Sequence, residues 1–218
     1  MILQKIKNVF IKLTLKWRQY CRRRQLHHTD FTIISNNCWA GTAVYQSFGL
    51  KYNTPTVGLF IMDEDYIRLL ERLEWYITQT PVIIRPEQSK YYSKISANAT
   101  KPVTYPIATI GEDVEIHFLH YPDAEEAIAK WMKRKQRINY DRLLVKMSLR
   151  DSGYDIAAML NRFHKLPYKN KICFSPVGND SAGIVVVPEL EKLNLVGGDE
   201  TECTLRHIDI VKVLNSVE

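Results

Sequence analysis

The stretch Asp113–Ser148, DVEIHFLHYPDAEEAIAKWMKRKQRINYDRLLVKMS, decides the fold. In its first nine residues Glu115 and His117 fall on one face, while Ile116, Phe118 and His120 fall on the other, the period of a strand from Asp113 to Tyr121. Asp123 caps a helix running to about Ile138. Arg142–Ser148 then reads as a second strand. The alternation continues outward toward the C-terminal end. Tyr154–His164 has helical spacing, Lys171–Phe174 and Ile184–Val187 are strands, and a short helix follows Asp209. Toward the N-terminal end, Phe31–Ser35 is a β-rich run, and a helix from about Gly41 to Phe48 is stopped by Gly49. Thr56–Ile61 is apolar. Asp63 is placed to cap a helix from Glu64 to about Thr78, with Tyr66, Ile67, Leu70, Leu73 and Ile77 on its inner face. Val82–Arg85 reads as a strand. Ser89–Pro106, Tyr-rich and broken by prolines, reads as a long loop. Strands alternating with helices imply βαβ units. The expectation is one α/β domain over residues 29–218, with a largely parallel or mixed sheet and helices on both faces.

Residues 1–28 read differently, as a basic amphipathic helix and a hinge. Ile2, Ile6, Val9, Phe10, Leu13, Trp17 and Tyr20 recur at spacings of three and four, one stripe of a helix. Eight Lys or Arg and no acid lie between Met1 and Arg24, so removing them takes the net charge from +6 to −2. The basicity is confined to this segment, which argues against nucleic acid as a partner. Charges interrupt every apolar run long enough to span a bilayer. The reading is a helix lying on an anionic membrane surface through residues 1–24. The competing reading packs the stripe on the domain or on a partner.

With 218 residues the chain is long enough for a proper core. Its four cysteines, Cys21, Cys38, Cys173 and Cys203, form no Cys-x-x-Cys pair, which fits a reducing, cytoplasmic compartment, and the basic helix adds the expectation of peripheral placement on the inner face of the cell membrane.

In open α/β sheets ligands bind beyond the carboxyl ends of the strands. The turn Ser35-Asn36-Asn37-Cys38-Trp39 sits there, at a helix start, where amides and carboxamides suit a phosphate or hydroxyl-rich ligand. Cys38 at that position is a candidate nucleophile. His120, nearest the end of its strand, is the candidate general base, and Asp151 is a candidate catalytic carboxylate, metal ligand or turn former. Trp131, Arg134 and Arg137 lie about one helical turn apart and could clamp a phosphate or a carboxylated sugar, although cations at a helix C-terminus also complement its dipole. His117 and His120 point to opposite faces, so no metal ligand set is expected, and no cofactor is implied.

Several motifs carry a resemblance: Phe31–Gly41, Tyr52–Pro55 with Val57–Phe60, Asp113–Tyr121, Glu125-Glu126-Ala127 with Lys130-Trp131, Arg137-Ile138-Asn139, and Leu166-Pro167-Tyr168 with Asn170-Lys171. Together they resemble bacterial exopolysaccharide and capsule biosynthesis proteins that carry the domain of unknown function numbered 1919. The likeness runs from about Asp30 to Val187, with the basic helix outside it. It implies a role in surface-polysaccharide synthesis and a transferase activity, without naming catalytic residues.

Three functions follow as expectations. The first is transfer of a glycosyl or other substituent from a sugar nucleotide or onto a lipid-linked glycan. The second is a cysteine hydrolase or transpeptidase built on Cys38. The third is a non-catalytic glycan-binding or scaffold subunit.

Overall fold

A computed structural model describes residues 2–98, 103–111, 113–150, 155–178, 181–193 and 199–218. In chain order the helices and strands are α1 (Ile2–Arg23), β1 (Thr32–Ser35), α2 (Asp63–Glu71), α3 (Leu73–Thr78), β2 (Val82–Ile84), α4 (Tyr92–Asn98), β3 (Ile107–Ile110), β4 (Val114–His117), α5 (Ala124–Lys135), β5 (Leu143–Ser148), α6 (Ile156–Lys165), β6 (Asn170–Ser175), β7 (Ile184–Val186), α7 (Glu200–Leu205) and α8 (Ile210–Asn215). A π-helical segment, Ala40–Gln46, follows β1, and Gly49 with φ +63° ends that helix as its position in the sequence implies.

The larger sheet is all parallel, in the order β1-β5-β6-β7, with Ile34 opposite Val145 and Met147 opposite Cys173. Every residue of β1 and β5 is buried, the pattern of strands covered on both faces. One face packs Ile34, Val145, Met147 and Cys173 against α2 and α6 through Tyr66, Leu70, Leu160 and Phe163. The other packs Ile33, Leu144, Ile172 and Phe174 against Val44 of the π-helical segment, Trp39 and Phe48 flanking it, and Leu214 of α8. Helices thus flank both faces, as expected.

The smaller sheet is antiparallel, β2-β3-β4. A bridge between Phe60 and His117 joins the Thr56–Ile61 run to it. Three expectations change here. The Ser89–Pro106 segment contains a helix, α4, whose Ile95 packs with Phe60, Met62 and Ile107 on the outer face of this sheet. The strand foreseen to Tyr121 is regular only to His117, so His120 sits in the turn beyond it. Asp63 does not cap its helix: Met62 holds the cap position, and the Asp63 side chain turns inward to accept from Asn36 Nδ2 (3.2 Å) and from the Arg150 amide (3.1 Å). Asp123 does cap α5, accepting from the Glu126 amide at 2.8 Å.

Candidate functional site

β1 and β5 end side by side, and the polar turn after β1 meets the last residues of β5. Asn36 closes the seam. Its Nδ2 donates to the Ser148 carbonyl (2.9 Å), its Oδ1 accepts from the Ser148 amide (3.0 Å), and its carbonyl accepts from the Ile61 amide (2.8 Å). Asn37 points the other way, toward a buried cluster. Lys146 lies on β5 with no exposed surface, and its Nζ donates to Asn37 Oδ1 (2.9 Å) and Glu200 Oε1 (2.7 Å). Glu200, at the start of α7, also accepts from Asn37 Nδ2 (2.7 Å), Ser148 Oγ (2.6 Å) and Arg150 (3.1 Å).

Burial alone would raise the Glu200 pKa, but the Lys146 ammonium, Ser148 and Arg150 hold it down to about 2. Burial lowers the Lys146 pKa, opposed by the Glu200 carboxylate. The two shifts pull in opposite directions on the ion pair. The ionised pair is the state the geometry favours, because the carboxylate faces two cations and its hydrogen bonds are made to the charged form. The rings of Trp39 and Phe174 lie 5.3 and 5.6 Å from Nζ, and Trp39 Nε1 donates to Thr204 Oγ1 at 2.7 Å, anchoring α7 over the turn.

Two adjoining clefts open above this floor. The larger, about 620 Å³, is lined by Asn37, Trp39, Tyr105, Arg150, Glu200 and neighbouring residues. The smaller, about 440 Å³, is lined by Gln46, Tyr52, Tyr121, Glu126, Lys130 and Arg134, among others. Cys38, Thr42 and His120 line both, so they form the ridge where the clefts meet. Arg134 is held in the smaller cleft by the Tyr121 hydroxyl (2.6 Å), with its guanidinium over the Tyr52 ring (5.1 Å). Gly58, with φ +81°, lets the chain pass under this ridge: a Cβ there would sit 3.2 Å from the Tyr121 ring.

The structure therefore brings together Asn37, Cys38, Trp39, His120 and Arg134 of the residues singled out in the sequence. Ser35 and Asn36 are buried beneath the floor and line neither cleft. Trp131 is a correction. It is fully buried against Phe118, at a centroid distance of 6.5 Å, so its indole belongs to the core and not to a ligand clamp. Arg137 is turned to the Tyr52 carbonyl (3.2 Å) and lines neither cleft. Asp151 lies outside the described residues.

The surroundings of Cys38 disfavour a thiolate. Burial foremost, then the Glu200 carboxylate, push it up to about 11, and its Sγ donates to the Leu59 carbonyl at 3.6 Å. Asp63-Glu64-Asp65 has the spacing of a two-carboxylate metal clamp, but the two aspartates diverge. Asp63 faces Asn36, whereas Asp65 binds Lys90 Nζ (2.7 Å), the Tyr91 hydroxyl (2.8 Å) and the Glu115 amide (2.8 Å). Among the described residues no group of three His, Cys, Asp or Glu is placed to hold a metal ion.

Lys146, Ser148 and Glu200 were missed. The signal for Lys146 was present, a lone cation inside the strand run Leu143-Leu144-Val145-Lys146-Met147. For Glu200, which joins through a short helix far along the chain, the sequence carries no local signal.

A family model described as a domain of unknown function, DUF1919, matches residues 7–212. The matched region thus takes in the basic helix from Lys7 onward, wider than the motifs alone suggested. A Haemophilus influenzae protein described as an uncharacterized protein is 31% identical over 172 residues, covering 79% of this chain and 74% of its own. Neither description names an activity. With most of its length inside the family model, and with a relative of that identity aligned over so much of both chains, the chain belongs to the DUF1919 family.

Proposed function

We propose that the protein transfers a glycosyl or related substituent from a sugar nucleotide to the hydroxyl of a glycan acceptor, in the synthesis of a bacterial surface polysaccharide. The observation that carries this reading is the pair of clefts joined at one imidazole. A two-substrate transfer needs a donor site, an acceptor site and a proton acceptor between them, and His120 lines both clefts. The smaller cleft has the donor's chemistry: Arg134 and Lys130 for phosphate, and the faces of Tyr52 and Tyr121 for a ring. The larger, with the Asn37 carboxamide at its floor and the half-buried Tyr105 ring in its wall, suits an acceptor sugar. In the transfer the acceptor oxygen bonds to the anomeric carbon, its proton passes to His120, the bond from that carbon to phosphate breaks, and the nucleoside diphosphate leaves with the electron pair. The pathway is what the motif resemblance implies. The raised Cys38 pKa weighs against a thiolate mechanism.

Thermal unfolding of the full chain with UDP-, GDP- and CDP-sugars and with acyl-CoA tests the reading. A bound donor at a hundred times its Kd stabilises by about 2.7 kcal/mol. Stabilisation by a sugar nucleotide that Arg134→Gln removes is the expected result. A shift with acyl-CoA alone reassigns the group transferred, and no shift with any donor sinks the transfer reading in favour of a non-catalytic scaffold.

A further inference from the structure

The helix α1 carries bulky apolar side chains in open solvent. Phe10 is 67% exposed, Trp17 66%, Leu13 60% and Val9 57%. With Tyr20 they form one stripe by their spacing. The stripe is not what holds the helix to the domain. Gln19 Nε2 donates to the Gln46 carbonyl (2.8 Å) and Arg23 to the Gly49 carbonyl (3.3 Å), and these two residues, four apart, occupy a different face. Further down, the Gln25 carbonyl and the His27 amide are pinned by Asn215. The domain therefore holds the base of α1 and leaves its apolar stripe uncovered from Val9 to Tyr20, about 17 Å along the helix axis.

What covers the stripe is constrained by charge. Eight Lys or Arg and no acid lie along residues 1–24. A second copy of α1 packed on the stripe would bring two such cationic rims together with no acid to offset them, which is repulsive. An apolar stripe edged by cations, with Trp17 and Tyr20 in it, matches the headgroup boundary of an anionic bilayer, where rings with a polar edge settle. None of the described helices is long and apolar enough to cross a membrane.

We propose that α1 lies in the plane of an anionic phospholipid surface, the inner face of the cell membrane, with Phe10, Leu13 and Trp17 among the acyl chains and the Lys and Arg side chains on lipid phosphates. Gln46, which accepts from Gln19, also lines the smaller cleft. The helix on the lipid is thus tied directly to a cleft wall. On the transfer reading above, this sets the clefts beside a lipid-linked acceptor. Lipid binding itself does not rest on that reading.

Co-sedimentation of the full chain with vesicles decides it. Phosphatidylglycerol–phosphatidylcholine vesicles should bind the chain, pure phosphatidylcholine should bind it far more weakly, and salt should release it. Lys12→Gln with Lys16→Gln should weaken partitioning about 25-fold, about fivefold per cation. Phe10→Asp with Trp17→Asp should abolish it while leaving thermal unfolding unchanged, because both side chains are exposed. Equal binding to both vesicle types, binding to neither, undiminished binding of the variants, or an α1-dependent dimer that accounts for the stripe would each overturn the proposal. Sugar-nucleotide stabilisation is read without lipid, so either idea can fail alone.

Discussion

Removing Lys146 while leaving its partner in place tests whether the buried cluster is the ionic unit inferred above. In Lys146→Met a chain of similar length fills the same slot between the Trp39 and Phe174 rings. Glu200 keeps Ser148, Asn37 and Arg150 but loses its 2.7 Å contact to the ammonium. Breaking a buried ion pair from one side costs about 3–5 kcal/mol, and the retained guanidinium puts this case near the lower end, about 3 kcal/mol. Glu200→Gln removes the carboxylate and leaves Lys146 and Arg150 facing each other without it, so its cost belongs near the upper end, about 5 kcal/mol. The double variant should fall short of the sum of the singles by about 2 kcal/mol, since the second change removes a charge the first has stranded.

Urea unfolding reads all three, with constant m-values required before free energies are compared. For a chain of this size Lys146→Met should lower Tm by about 6–12 °C. The pH dependence gives an independent readout. The folded Glu200 pKa is depressed from 4.5 to about 2. The stability it contributes is therefore fully present above pH 4.5 and is lost as the pH falls toward 2, roughly 3 kcal/mol in all. Glu200→Gln should flatten that limb of the profile. A Lys146→Met protein within about 0.5 kcal/mol of the parent, or strictly additive singles, would refute the coupled cluster.

Two further outcomes follow from groups nearby. His117 is fully buried among the Phe60, Tyr91 and Tyr105 rings with Glu115 Oε2 3.8 Å from its Nε2, and neither ring nitrogen has a hydrogen-bond partner among the described residues. Burial, with a smaller push from Lys90, lowers its pKa to about 4, so the unfolded chain takes up the proton first and stability falls as the pH drops from 6.5 toward 4. His117→Phe should be neutral or stabilising at pH 8 and more stabilising at pH 5; a loss of stability at both, read by thermal unfolding, would show that the imidazole makes a needed contact. Iodoacetamide should alkylate the exposed Cys21 well before Cys38, whose pKa stands near 11, as peptide mapping by mass spectrometry would read. Faster reaction at Cys38 would restore the thiolate mechanism.

Which features could be read in advance follows from how local their causes are. β1 and β5 were legible because a parallel strand covered on both faces is a nearly continuous apolar run, and Leu143–Met147 is one but for Lys146. β3 was not, because Ile107–Ile110 is four residues after a proline-broken stretch and becomes a strand only by pairing with β2 and β4. The turn Asn36–Cys38 was placed correctly by the rule for strand ends, yet the roles within it were not. Asn36 and Asn37 are adjacent and chemically identical, and only the long-range partners make one a seam and the other a cleft wall. Trp131 shows the complementary error. It shares a helix face with Arg134, but a face does not specify depth, and the large apolar ring went to the core while the guanidinium reached the rim.

The lysine inside an apolar strand also bears on why the cluster exists. A buried ion pair can commonly be replaced by apolar groups without loss of stability, so stability alone does not account for Lys146 and Glu200. Their joint effect is on Asn37. Its Oδ1 accepts from Lys146 Nζ and from the Trp39 amide, and its Nδ2 donates to Glu200. These three bonds fix which way the carboxamide faces, and a side chain that could flip would present either a donor or an acceptor to the larger cleft. The cluster removes that ambiguity through an acid contributed by α7, so the orientation of Asn37 depends on α7 being docked. A site assembled from β1, β5 and the C-terminal segment in this way is complete only when the whole domain is folded.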